Sequence, residues 1–70
     1  MSEQDVKFLE DFRQYIGLTL MKKTLSAYYE AERILNGWDK IRKRDCSCEL
    51  GALKNTVEAK YHQWTKSRKA

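Results

Sequence analysis

Apolar side chains recur along this 70-residue chain at intervals of three and four, the spacing of one face of an α-helix. Val6, Leu9, Phe12, Ile16 and Leu20 follow that period, and Phe8, Phe12 and Tyr15 widen the stripe on one side. Ser2 followed by Asp5 reads as a loose capping box, and Glu3 and Asp5 put negative charge where a helix N-terminus is partially positive. On the opposite face Glu3 and Lys7 stand in the favourable i,i+4 order. A first helix over residues 3–16 is expected. Gly17 then offers a helix C-terminus and Thr19 a cap for the next helix, so a break or kink is placed there.

Leu25, Tyr28, Ala31 and Leu35 lie along one line of a second helix, and Ala27, Ile34, Trp38 and Ile41 along a neighbouring one. The spacing predicts a helix over 20–44, with Asn36-Gly37 as a tolerated weak point in it or a close approach to another backbone. After "KIRKR", Asp45 or Ser47 is a good N-cap and Glu49 an acid for the first turn. Leu50, Leu53, Val57, Tyr61 and Trp64 then form the cleanest stripe in the chain, predicting a third helix over 47–67. The fold expected is a single all-α domain spanning 1–70. The last two helices make an antiparallel helical hairpin and the first packs across it. A two-helix version with a long bent first arm is the alternative.

Length narrows this picture. A chain of 70 residues buries only about 60% of the surface that its unfolded state exposes, so its own core is marginal and a partner chain is a natural supplement. With 34% charged residues, no proline and three glycines, the composition suits helices rather than a turn-rich β fold. Eight aromatic residues argue against a disordered chain. The longest apolar run, Tyr15 to Met21, is too short to span a bilayer, so no membrane contact is expected. "MSEQDVKF" opens on acids and lacks the basic and apolar regions of a signal peptide, and a pair of cysteines one residue apart makes no secreted disulfide framework. The expected location is intracellular, in the cytoplasm or inside a virus particle.

Charge is uneven. Residues 1–35 carry five Lys/Arg and six Asp/Glu, a balance of −1, whereas residues 36–70 carry nine and four, a balance of +5. On a helix Lys40, Lys43 and Arg44 share a face, and with Lys54 they are the candidates for contact with nucleic acid or another anion. The bland alternative is that helix ends and solubility place these cations. A helix-turn-helix is the narrower version of the nucleic-acid reading, with "RDCSCELG" as the turn and Lys54, Asn55 and Glu58 as readers.

Catalytic and metal chemistry find little purchase. Cys46 and Cys48 are the candidate metal ligands, but a zinc site wants four, and His62 lies about 20 Å up the third helix at 1.5 Å per residue. The same distance denies either thiol a base, although Lys43 and Arg44 beside them would lower the thiol pKa. His62 is expected to pair with Glu58 one turn before it. Neither a catalytic residue nor a cofactor is expected, and the chain reads as no enzyme. The aromatic surplus remains. Tyr28, Tyr29, Trp38 and Trp64 exceed what three short helices readily bury, and such residues anchor protein interfaces. The expected function is therefore a non-catalytic structural or interaction protein, a helical subunit packed on protein partners or on itself in a multiprotein complex or virus particle. The competing class is a small basic nucleic-acid-binding accessory protein for transcription or packaging.

Overall fold

A computed structural model describes residues 2–19, 21–44 and 49–69 of the chain, and within them three α-helices form. Helix α1 covers Glu3–Phe12, α2 covers Lys22–Asn36 and α3 covers Leu50–Lys69. The start of α1 is closed as its sequence predicts. Ser2 Oγ accepts from the Asp5 backbone N–H at 3.2 Å while the Asp5 carboxylate accepts from the Ser2 N–H at 3.3 Å, a reciprocal capping box.

α1 stops earlier than its apolar period allows. The chain tightens into a single 3₁₀ turn at Arg13–Tyr15, and Gly17 takes a positive φ of 90° that side-chain-bearing residues rarely adopt. The expected break is thus at Gly17, but its neighbour Thr19 does not cap the second helix. Met21 occupies the N-cap of α2 without a side-chain hydrogen bond, so the helix begins at Lys22 rather than at 20.

The larger correction concerns the end of α2. The helix expected to run to Arg44 stops at Asn36, because Gly37 adopts the left-handed conformation with φ 70° and ψ 29°. The Gly37 N–H donates to the Ile34 carbonyl at 3.2 Å and the Trp38 N–H reaches back to the Arg33 carbonyl at 2.9 Å. Those two bonds are a Schellman motif, which satisfies carbonyls that a helix end otherwise leaves bare. No heavy atom lies within 4 Å of where a Gly37 Cβ would stand, so the position calls for glycine by its backbone conformation and not by a close approach.

Residues 38–44 then return beside α2. The Arg44 N–H donates to the Tyr29 hydroxyl at 3.0 Å, and Ile41 and Lys43 share a cleft with Lys22 and Leu25. This return strap bends at Asp39 and Lys40 and runs without helical structure to Arg44. It carries the chain back towards the start of α2 before α3 begins. Tyr28 accordingly lies against Glu58, Asn36 meets Lys60, and Leu35 shares a cleft with Trp64. Residue numbers rise together along α2 and α3, so the two run in the same general direction instead of forming the expected antiparallel hairpin. The thirteen residues between them, 37–49, also exclude a helix-turn-helix. The all-α class and the three helices stand. α1 packs against both other helices and runs opposite to α2, with Asp5 by Arg33 and Phe12 by Tyr28.

The core is where the three meet. Leu9, Phe12, Tyr28, Ala31 and Leu53 are fully inaccessible to solvent, and Val57, Ile34 and Tyr61 nearly so. Phe12 stands at its centre, edge-on to Tyr28 with ring centroids 4.9 Å apart and to Tyr61 at 5.6 Å. Such geometry adds about 0.5–1.5 kcal/mol per pair beyond the area buried. The third-helix stripe packs as its period predicts, with Leu50 and Trp64 at the margins.

Candidate functional site

Two acids, one buried and one half-buried, determine which predicted site residues remain free. Glu32 sits i+4 from Tyr28 and i+3 from Tyr29, on the apolar face of α2, and is only 3% exposed. Arg44 binds it with a two-pronged fork, at 2.8 and 2.7 Å, from the end of the return strap. A buried carboxylate needs such a partner, and the planar guanidinium supplies parallel donors in a fixed geometry. Glu58 on α3 is the second. It accepts from the Tyr28 hydroxyl at 2.6 Å and pairs with Lys54 at 3.4 Å, so one carboxylate ties α3 to α2.

Burial opposes the charged form of Glu58, but the Tyr28 hydrogen bond and the Lys54 charge outweigh it and hold the carboxyl below its usual range. Burial first, then the hydrogen bond and charge of Glu58, push the Tyr28 hydroxyl well above its ordinary value.

The residues singled out as partner anchors divide accordingly. Tyr28 is wholly buried, and Tyr29 is nearly so, its hydroxyl taken by the strap. Trp38 is half-buried just past the Schellman turn, under the Arg42 guanidinium at 4.5 Å from the ring centroid. Trp64 is half-buried on α3, under Arg68 at 4.7 Å. The cations divide too. Arg44 belongs to Glu32 and Lys54 to Glu58, while Lys40 and Lys43 are exposed on the non-helical strap rather than on one face of a helix. Cys46 and Cys48 lie outside the described residues. Glu58 being otherwise engaged, His62 is exposed, its ring 5.9 Å from that of Tyr61.

The surface beside the strap holds residues that periodicity alone does not single out. Met21 is 70% exposed and Ile41 is 39% exposed, although both are large and apolar. Between the first half of α2 and the strap lies a cleft of about 300 Å³, with Leu25, Tyr29 and Ile41 as apolar walls and Lys22, Lys43 and Arg44 around them. Met21 stands one helical turn before Leu25, whose N–H donates to its carbonyl at 2.7 Å. Reading 20–44 as one helix hides this cleft, because it assigns Ile41 to the buried stripe. Glu32 is visible as an acid in the middle of an apolar face, a signal that a cation must come to it.

Among the described residues no cluster of three or more His, Cys, Asp or Glu side chains is placed to hold a metal ion, and no helix is long and apolar enough to cross a membrane. No protein-family model, curated protein or solved structure matches the chain.

Proposed function

We propose that the protein is a non-catalytic interaction module, a small helical subunit that docks on a partner chain of a larger assembly such as a multiprotein complex or virus particle, inside the cell. Its docking face is the strip where the strap 38–44 lies along the first half of α2. The observation that carries this reading is the exposure of Met21 and Ile41, with Ile41 walling a cleft against Leu25 and Tyr29, in a chain with so small a core. Small domains gain most from burying such groups, and large apolar side chains grouped at a surface mark contact sites. The acids at the helix contacts support it as well: the buried Glu32 is paired with Arg44 and the half-buried Glu58 with Tyr28 and Lys54, which leaves them as struts of the fold rather than as proton carriers.

A second reading, nucleic-acid contact, is favoured by Lys40, Arg42 and Lys43 exposed on one non-helical strap, with Arg42 stacked on Trp38. It has fewer cations than the composition promises, since Arg44 and Lys54 are engaged within the fold. Light scattering of protein from its native source at two salt concentrations, with absorbance at 260 and 280 nm, separates the two. A complex of fixed protein stoichiometry that survives moderate salt supports docking on a protein. A raised 260/280 ratio lost steeply with salt supports nucleic acid. A bare monomer at both concentrations sinks both.

A further inference from the structure

The cleft beside the strap has a composition that selects among partners. Its walls are apolar, from Leu25, Tyr29 and Ile41, and its rim is cationic, from Lys22 and Lys43. The nearest acids on α2 add nothing against that charge, because Glu30 is bound by Arg33 and Glu32 by Arg44. Lys23 in the first turn of α2 and Lys40 and Arg42 on the strap are exposed too, against exposed Asp39 on the strap and Glu49 beyond it. At about 300 Å³ the cleft is at the bottom of the range, roughly 300–1,000 Å³, that encloses small-molecule ligands. It suits an anchor side chain of a larger partner. Its far wall is already fixed, by the Arg44 N–H on the Tyr29 hydroxyl and the Arg44 fork on Glu32, so little ordering remains to be done on binding.

We infer that this cleft docks an acidic amphipathic helix of a partner protein. Apolar anchors at i and i+4 of that helix would enter between Leu25 and Ile41 and onto Met21, and its carboxylates would meet Lys22 and Lys43. The inference rests on the interaction reading above and names the partner of that same face. Apolar walls distinguish this occupant from nucleic acid, whose backbone would use the rim and leave Ile41 idle. A second copy of this chain is a poor occupant. Its acidic helix, α1, carries Glu3, Asp5, Glu10 and Asp11, but its apolar residues Leu9 and Phe12 are sealed in its own core.

The test titrates isotope-labelled protein with a synthetic 16-residue peptide of Glu, Ala and Leu, its leucines at i, i+4 and i+7. The controls are a scramble of equal composition that breaks the leucine stripe, and a twelve-nucleotide oligothymidine. The helical peptide is expected to shift the amide resonances of Leu25, Tyr29 and Ile41 and to bind at least tenfold tighter than the scramble. Ile41→Asp and the pair Lys22→Glu with Lys43→Glu should each weaken it tenfold or more, with circular dichroism melts confirming that these surface variants fold. Equal binding of the scramble, shifts centred elsewhere, tighter binding of the oligonucleotide at these amides, or no binding overturns the inference. So does a concentration-dependent dimer that Ile41→Asp dissolves, which would make a second copy the occupant. If the peptide fails while the native-source complex resists salt and is dissociated by Ile41→Asp, only the acidic partner falls. A native-source monomer takes the interaction reading with it.

Discussion

Tyr28 and Tyr29 are neighbours in sequence, yet they serve two differently built sides of α2. Tyr28 faces α1 and α3 inside a cluster of Phe12, Tyr61, Leu53 and Val57, where burial of apolar area dominates and its hydroxyl bond to Glu58 is an addition. Tyr29 faces the return strap, which is held largely by polar bonds: the Arg44 N–H to its hydroxyl and the Arg44 fork to Glu32. An apolar contact loses stability in proportion to the atoms removed. A clamp loses it all at once when one partner goes and the other is left buried and charged. The core side therefore keeps the fold, and the strap side keeps the cleft in shape.

Phe12→Ala is the harshest way to probe the contrast. It removes the ring at the centre of both edge-on contacts and should cost about 3–5 kcal/mol, comparable with the few kcal/mol that a core of this size supplies. The variant is expected to lose its cooperative thermal transition in circular dichroism. Arg44→Ala comes next. Breaking a buried pair costs about 3–5 kcal/mol, and the Arg44 side chain is 26% exposed, so about 2–3 kcal/mol is expected. The clamp has a signature that the core lacks: Glu32→Leu added to Arg44→Ala should recover much of the loss, because the stranded charge is gone. Additive losses in that double-mutant cycle would mean that Arg44 acts by packing alone.

Acidity separates the sides further, because Tyr28 and Glu58 titrate at opposite ends of the scale. The Glu58 carboxyl is held below its ordinary 4.5 in the folded chain, so its contribution is present above that value and is lost as pH falls through the lowered one. The Tyr28 hydroxyl is raised above its ordinary 10.0, so its contribution is present below that value and fades as pH rises beyond it. Melting temperature against pH should fall at both ends. Tyr28→Phe should cost about 1–2 kcal/mol near neutrality by leaving Glu58 short of a donor, and should flatten the alkaline limb. An alkaline limb unchanged in Tyr28→Phe would assign it to other groups.

How much of this is legible in the sequence depends on whether a local rule or a distant partner decides. The capping box at Ser2 and Asp5, the stop at Gly17 and the α3 stripe from Leu50 to Trp64 rest on neighbours within a turn or two, and all three are found. Gly37 is ambiguous, because Trp38 and Ile41 continue the apolar period beyond it. Periodicity cannot tell a helix interrupted by glycine from a helix ended by it when no proline enforces the stop. On that choice hang the direction of α3, the strap and the cleft. Arg44 likewise looks like a surface cation because its partner, Glu32, is twelve residues away and reaches it only when the chain turns back. Gly37→Ala tests the turn itself. Its added methyl meets open space, so the cost is conformational alone, about 1 kcal/mol. A loss well above that would mean that the strap depends on the turn more than on the Arg44 clamp.

The smallest expected effect bears most directly on function. Ile41 belongs to the strap, is 39% exposed, and lines a cleft that is open before any partner arrives. If polar bonds hold the strap, Ile41→Ser should change the free energy of unfolding by about 0.5 kcal/mol or less, as exposed positions usually do. Chemical denaturation with an unchanged slope would show that the strap stays in place. A loss of about 2 kcal/mol would instead make Ile41 a core residue of the isolated chain, sealed against Leu25 and Tyr29, and there would be no standing cleft for a partner to fill. Because the fold should scarcely register this substitution while docking should depend on it, Ile41 is the position at which stability and interaction can be measured apart.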